Sequence, residues 1–461
     1  MAKHYDVIII GAGPAGIFSA LELAKAGCQE VLIIDKGLRV DQRICIASQR
    51  DVDCQNCQPC SVVSGWGGAG AFSDGKLTLT TEFGGNLADY TGNDLLQQLL
   101  EEVDALYCSY GATPVLYAGE PDDLKLLQRQ AAIAELQFLP ARVRHLGSER
   151  TKEILQKIYD DLLPKVDIVT GCQVESLLVE DGKALGVATN IGTFIGNYII
   201  CAPGREGSRW FTGELNRLGL SLDVNPVDIG VRVEVPAATL EEITDKVYES
   251  KLVYYSRSFD DKVRTFCMNP RGEVVMENNG GIVTVNGHSY GDKKTENTNF
   301  ALLVSKNFTQ PFKEPIAYGR SIAALANMLG GGVILQRLGD LLAGRRSTVE
   351  RIQRGLVKPT MLGATPGDLS LVLPYRYLQS IVEMLEALDK MAPGVNSRHT
   401  LLYGVEVKFY SSRPKLSKDL ETKIANLFAI GDGAGVTRGL AQASASGLRA
   451  ARAIISRENC G

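Results

Sequence analysis

The stretch from Tyr5 to Asp35 constrains the chain more than any other. It reads as a strand (Asp6–Ile10), a glycine turn (Gly11-Ala12-Gly13-Pro14-Ala15-Gly16), a helix, and a second strand (Val31–Ile34) closed by Asp35. Gly11 allows a tight turn out of the strand, Gly13 leaves the backbone bare for a pyrophosphate, and Gly16 lets the helix pack closely on a sheet. The helix start offers unpaired N–H groups and a partial positive charge to phosphates. Asp35 stands where a carboxylate accepts hydrogen bonds from a ribose. A glycine turn in some other parallel sheet lacks this combination of strand, helix and acid. The stretch therefore predicts a Rossmann-like, dinucleotide-binding α/β domain, with NAD and FAD both open.

The other end of the chain decides between them. Asn426-Leu-Phe-Ala-Ile-Gly-Asp-Gly-Ala-Gly435 reads as a strand running into Gly431 and Asp432, followed by the small-residue helix start Ala441-Gln442-Ala443. A carboxylate there suits the ribityl chain of a flavin. A helix N-terminus beside the pyrimidine ring would stabilise negative charge on reduced flavin. An NAD-only domain has no reason to return to its nucleotide hundreds of residues later. FAD, extended across the domain, has one.

With 461 residues, 45% hydrophobic and 22% charged, the chain can build two or three domains around a sizeable core. The net charge of −4 and the lack of a basic run argue against a nucleic-acid partner. No run of about 20 apolar residues is present, so no membrane partner is expected. The apolar stretch after Lys3 contains the phosphate turn and Glu22, which argues against an export signal and for a cytoplasmic protein.

Periodicity predicts helices over 93–110, 122–136 and 150–163, then short strands over 166–170, 173–179, 184–190 and 193–200, with Asp181-Gly182 as a hairpin turn. Residues 225–236 read as a strand leaving the first domain and 401–410 as the strand returning to it. The expected division is a discontinuous FAD-binding domain, a parallel sheet plus an antiparallel meander, over 1–224 and 401–461. It carries a Cys- and Gly-rich loop at 38–80 and a mostly helical insertion at 90–163. An inserted α+β substrate domain is expected over 225–400.

Two constellations carry further chemistry. Cys45, Cys54, Cys57 and Cys60, four of the ten cysteines, follow the spacing x8, x2, x2. Such a set suits a [4Fe-4S] cluster, zinc as the weaker alternative, or unliganded thiols in a loop. A cluster beside a flavin would couple hydride chemistry to a ferredoxin-like electron partner. His288, between Gly287 and Ser289, is a candidate proton donor or acceptor, against the bland reading of a loop histidine bonded to backbone. Cys267 faces a flavin or is a small buried hydrophobe. Lys408, with Arg264, Arg345 and Arg346, suits a carboxylate substrate. His4, His145 and His399 read as surface residues.

These motifs together resemble a widespread, little-characterised family of bacterial FAD-dependent dehydrogenases, within the glutathione-reductase-like flavoprotein class. The resemblance covers almost the whole chain, including Gly11–Gly16, the cysteine cluster, Gly65–Lys76, Pro203–Gly207, Val227–Arg232, Arg264–Pro270, Asn286–Ser289, Asn297–Phe300, Gln336–Asp340, Glu406–Lys408 and Gly431–Gly435. It implies FAD, bound by Gly11, Gly13, Pro14, Ala15, Gly16, Asp35, Lys36, Gly68, Ala69, Gly70, Val174, Gly204, Gly431, Asp432, Ala441, Gln442 and Ala443. It implies oxidation or reduction of a small organic molecule by hydride transfer through flavin N5. It supplies no substrate. The second dinucleotide fingerprint and the CxxxxC pair of a disulfide reductase are absent from the sequence, so NAD(P)H is expected at most as a transient donor. The alternatives are an iron–sulfur flavoprotein in electron transfer and, in another class, a non-enzymatic binder of the same fold. A flavoprotein acting on transfer RNA is disfavoured by the acidic charge.

Overall fold

The apolar runs at the N-terminus become strands buried on both faces. β1 (His4–Ile10) and β2 (Val31–Asp35) pair in parallel, and Val7–Ile10 and Val31–Ile34 are all buried, as continuous apolar runs require in a sheet covered on both sides. The computed structural model describes residues 3–46, 49, 55, 57–73, 75–247, 249–278, 281–289, 294–308 and 314–458. Contacts divide the chain into two compact units. The first is Met1–Leu116, Arg144–Asn225 and Tyr410–Gly461; the second is Tyr117–Val143 and Pro226–Phe409.

In the first unit the sheet order is Asp167–Thr170, β2, β1, β3 (Gly192–Cys201), Lys183–Thr189, Val174–Glu180, with Leu427–Ala429 also on β3. The pairings of β1, β2 and Leu427–Ala429 are parallel, and the last three strands of the order form an antiparallel meander. This is the expected Rossmann-like sheet with its meander. Three helices matter for the site: α1 (Pro14–Lys25), α2 (Gly204–Arg217) and α3 (Leu440–Glu458).

The second unit is an eight-stranded sheet, antiparallel but for one short pair at its edge. Its centre is β4 (Val227–Pro236), flanked by β8 (Asn297–Lys306) and β9 (Leu401–Lys408); β5 (Lys262–Asn269) lies beyond β8. A separate hairpin joins β6 (Glu273–Asn278) to β7 (Val283–His288). Side chains alternate across a strand. Val227, Ile229, Val231, Val233 and Val235 share an apolar core with residues of the helices Pro315–Gly330 and Tyr375–Asp389. Asp228, Arg232 and Glu234 occupy the other face and are equally buried.

The domain boundaries differ from the expectation in two places. β9, expected as the strand returning to the first domain, pairs with β4 and with Ile334–Arg337 in the second unit's sheet. Within the expected helical insertion, Tyr117–Val143 joins the second unit, where Gln137–Leu139 pairs with Lys251–Tyr255. In both cases the ladder partner, far away in sequence, decides membership, and local periodicity carries no trace of it. Among the described residues no helix is long and apolar enough to cross a membrane.

Candidate active site

The nucleotide side of the site lies wholly in the first unit. Gly11 leaves β1 at φ +101°, and a Cβ there would stand 2.1 Å from the Ala202 carbonyl oxygen at the end of β3. Only glycine meets both demands. Gly13 caps α1 without a side-chain hydrogen bond, and Pro14 follows at the first helical position, so amides of the first turn stay open to an anion. A Cβ on Gly13 would meet nothing nearer than the Gly68 Cα at 3.9 Å.

The Gly-rich loop lies against this turn. Gly67 N–H donates to the Ala12 carbonyl at 2.7 Å, and a Cβ on Gly68 would be 3.1 Å from the Gly13 Cα. Gly70 is backed by Pro14 and Leu440, with half-buried Ala69 between them in sequence. Asp35 has a structural task besides the ribose expected for it. One carboxylate oxygen accepts from Ala12 N–H and the other from Gly37 N–H, both at 2.8 Å, leaving further lone pairs on each oxygen. Lys36 is ion-paired with Glu206 in the first turn of α2. Val174 is buried at the start of its strand, just beyond Cys172, whose N–H donates to the Asp35 carbonyl at 3.0 Å.

The returning segment closes the same crevice. Gly204 begins α2, and Gly433 packs so tightly on it that a Cβ would lie 2.1 Å from the Gly204 carbonyl oxygen. Gly431 N–H donates to Ser446 Oγ at 3.1 Å. Asp432 accepts from Thr437 Oγ1 at 2.7 Å and from Gly439 N–H at 3.1 Å. Burial raises its carboxyl above the usual range, against the pull of Arg205, Thr437, Gly439 and Arg438. At the start of α3, Ala441 and Ala443 are buried. Gln442 donates to the carbonyls of Thr80 at 3.3 Å and Phe83 at 2.9 Å, while its Oε1 is buried with no partner among the described residues.

Two family models match this chain: "FAD binding domain" over residues 4–53 and "FAD-dependent protein, C-terminal domain-like" over residues 226–409. The chain is an FAD-dependent protein. The flavoprotein is 27% identical over 473 residues to an uncharacterized protein of Clostridium beijerinckii, covering 98% of this chain and 80% of that one. Among solved structures it is similar to a 3-ketosteroid dehydrogenase from Rhodococcus jostii RHA1, with 13% identity, a TM-score of 0.46 and coverage of 98% and 96% of the two chains. It is also similar to glycine oxidase from Bacillus cereus, with 15% identity, a TM-score of 0.38 and coverage of 98% and 96%. The glycines and the uncapped start of α1 fit FAD, whose diphosphate matches the open amides, and Gly431 brings the C-terminal segment beside the same turn, a Cβ there lying 3.1 Å from the Ala15 Cβ.

In the second unit of the flavoprotein, the expected catalytic residues meet a buried polar network that sequence reasoning passed over. Arg232 is fully buried and makes a two-pronged ion pair with Glu406, each contact 2.8 Å. Its remaining N–H groups donate to the Cys267 carbonyl at 2.8 Å, Asn286 Oδ1 at 3.1 Å and Asn299 Oδ1 at 3.2 Å. Cys267 sits at φ +46° where the pairing of β5 with β8 loses register, which turns its carbonyl towards Arg232. Lys408 Nζ lies 3.1 Å from Glu406 and 3.6 Å from Glu277. His288 ends β7 opposite Glu273. The network thus gathers Cys267 and Lys408.

The cations expected to clamp a carboxylate separate into two groups. Arg264 lies over the Phe266 ring at 4.8 Å and Lys408 at 5.8 Å from its centroid. Arg264 is also ion-paired with Asp228. Arg345 instead bonds Asp340 at 3.0 Å, and the Arg346 carbonyl accepts from Arg351. A signal for the missed network was present: three charged residues at every second or fourth place within Val227–Val235 cannot be solvated on a strand whose other face is entirely apolar.

The four-thiolate site is not assembled among the described residues. Cys54 lies outside them, and the described residues contain no group of three or more His, Cys, Asp or Glu placed to hold a metal. Cys45 and Cys60 are half-buried and Cys57 is exposed.

Proposed function

We propose that the protein oxidises or reduces a small organic molecule by hydride transfer at flavin N5. The observation that carries this reading is a pair of features in the first unit, the anion-ready uncapped start of α1 at Gly13 and the hydrogen-bond-accepting carboxyl of Asp432 near the end of the chain. When bound, FAD supplies a two-electron hydride acceptor or donor. The amides at Gly13 to Gly16 hold the diphosphate, Asp35 the ribose, and Asp432 a hydroxyl of the ribityl chain. Ala441–Ala443 at the start of α3 favour negative charge on the ring system through the helix dipole. Within the second unit, Lys408 and Arg264 beside Phe266 suit an anionic group, and His288 suits giving or taking a proton. Arg232 and Glu406 hold the strands that carry these residues.

NAD(P)H fits as a transient electron donor at an open site, since the sequence has no second dinucleotide fingerprint. A ferredoxin-like partner goes with iron in the Cys45–Cys60 loop, and iron analysis decides that point. The test of the reading is the visible spectrum of protein purified without oxygen, with identification of the released flavin. One FAD per chain, bleached on adding a substrate without oxygen, is expected. Protein that stays colourless after incubation with FAD overturns the reading.

A further inference from the structure

The cysteine loop is the one sequence motif that flavin binding leaves unused. Its described part ends in Cys57-Gln58-Pro59-Cys60, two thiols separated by two residues. That spacing permits closure to a disulfide. The two cysteines are held differently. The Cys60 carbonyl accepts from Val63 N–H at 3.2 Å and Ser64 N–H at 3.0 Å. Arg43, only 4% exposed, donates to the carbonyls of Ser61 and Val62, each at 2.8 Å, and of Trp66 at 2.7 Å. Trp66 is fully buried and donates from its indole to the Leu155 carbonyl at 2.8 Å. Cys60 is therefore tied to the core through the backbone that follows it, whereas Cys57 is exposed. Pro59 fixes φ between them, which lowers the entropy of bringing the two sulfurs together. The described residues include no group of three or more His, Cys, Asp or Glu placed to hold a metal. A dithiol needs only these two.

We propose that Cys57 and Cys60 form a redox-active dithiol that exchanges with low-molecular-weight disulfides, Cys57 attacking and Cys60 resolving. In the first step the Cys57 thiolate attacks one sulfur of a disulfide RSSR. A Cys57–S–S–R bond forms, the S–S bond of RSSR breaks, and one RS⁻ leaves and takes up a proton. In the second step the Cys60 thiolate attacks the Cys57 sulfur. The Cys57–Cys60 disulfide forms and the second RS⁻ leaves to be protonated. Two electrons and two protons pass from the protein dithiol to RSSR, giving two RSH. The exposed thiol is the one a soluble disulfide reaches more readily, and half-buried Cys60 then resolves the mixed disulfide. This activity stands whether or not the flavin reading holds.

The test uses the intact flavoprotein, equilibrated with mixtures of reduced and oxidised glutathione, quenched in acid and labelled with a maleimide. Mass spectrometry is expected to show two fewer labelled thiols per chain at the oxidising end, reversible with reductant, in a linked peptide containing Cys57 and Cys60. Cys60→Ser is expected to accumulate a glutathione adduct on Cys57, and Cys57→Ser to leave Cys60 free of adduct. An unchanged thiol count across the series overturns the proposal. So does a disulfide that maps to Cys45 or Cys54, or iron or zinc that is bound in the purified protein and lost in both serine variants. Flavin absorbance recorded on the same samples separates this outcome from failure of FAD binding.

Discussion

Gly13 and Gly16 stand three residues apart in one turn and are glycine for different reasons. A methyl group on Gly16 would sit 1.9 Å from the Gly11 carbonyl oxygen, inside the packing of α1 on β1. A methyl group on Gly13 would rest in ordinary contact with the Gly68 Cα at 3.9 Å, and Gly13 already has extended backbone angles that alanine accepts. Gly16→Ala is expected to cost about 2–4 kcal/mol of stability through overpacking. Gly13→Ala is expected to cost less than about 1 kcal/mol, the ordinary loss at an N-cap. Its methyl group fills the phosphate space, so FAD affinity should fall by about 100-fold, or ~2.7 kcal/mol. Thermal unfolding of the apoprotein and titration with FAD separate the two effects. A Gly13→Ala variant that binds FAD normally would move the diphosphate elsewhere and remove the support for the proposed site.

At the scale of elements, the nucleotide crevice depends on how closely α1 and α3 cross. The crossing is made at Gly447, where a Cβ would lie 2.2 Å from the Ala15 carbonyl oxygen. Ser19 Oγ completes it by donating to the carbonyls of Ala15 at 3.0 Å and Gly447 at 3.2 Å. Gly447→Ala must push the two helix starts apart and is expected to destabilise by about 2–3 kcal/mol and weaken FAD retention. Gly213, exposed in α2, has nothing within 4 Å of its missing Cβ. Gly213→Ala should stabilise by about 0.5–1 kcal/mol through helix propensity alone. Chemical denaturation of both variants checks the contrast. The same elements show what a sequence discloses. β1, α1 and β2 were legible because each is set by its own period and by glycines at fixed offsets. The placement of β9 was not, because the pairing of Asp228 with Lys408 is fixed by a ladder between residues far apart in sequence. The Arg232–Glu406 pair spans 174 positions and was hidden for the same reason. The place of Asp432 at the end of its strand was legible, whereas the grip of Asp35 on the amides of Ala12 and Gly37 needed the folded turn.

For the whole molecule, the charges buried in the second unit set how stability responds to pH. Glu234 is fully buried and accepts from Tyr403 Oη, Thr360 Oγ1 and Asn297 Nδ2, with no ion pair to it among the described residues. Burial raises its carboxyl above the usual range. A raised carboxyl contributes stability that is full below its unfolded value and lost as pH rises through its folded value. Lys251 moves the opposite way, pushed down to about 6 by burial first and then by Arg264. Between about 6 and the ordinary lysine value of 10.5, the unfolded chain carries a proton at Lys251 that the folded chain lacks. Folding is then favoured by raising pH, with a slope of at most about 1.4 kcal/mol per pH unit for one proton. Wild-type protein is therefore expected to gain stability from pH 6.5 towards pH 9 through this group. Lys251→Met removes the titrating amine and keeps a stem of similar length. Its stability curve should lie above that of the wild type at pH 6.5 and approach it by pH 9, because the cost of neutralising the half-buried lysine shrinks as the solution takes over that proton. Urea denaturation of both proteins at intervals across this range measures the difference directly. Two curves that run parallel would show that Lys251 keeps its proton in the folded state, and the charge would then have to be balanced on the sheet by Asp228 and Glu249, which lie near enough to act on it.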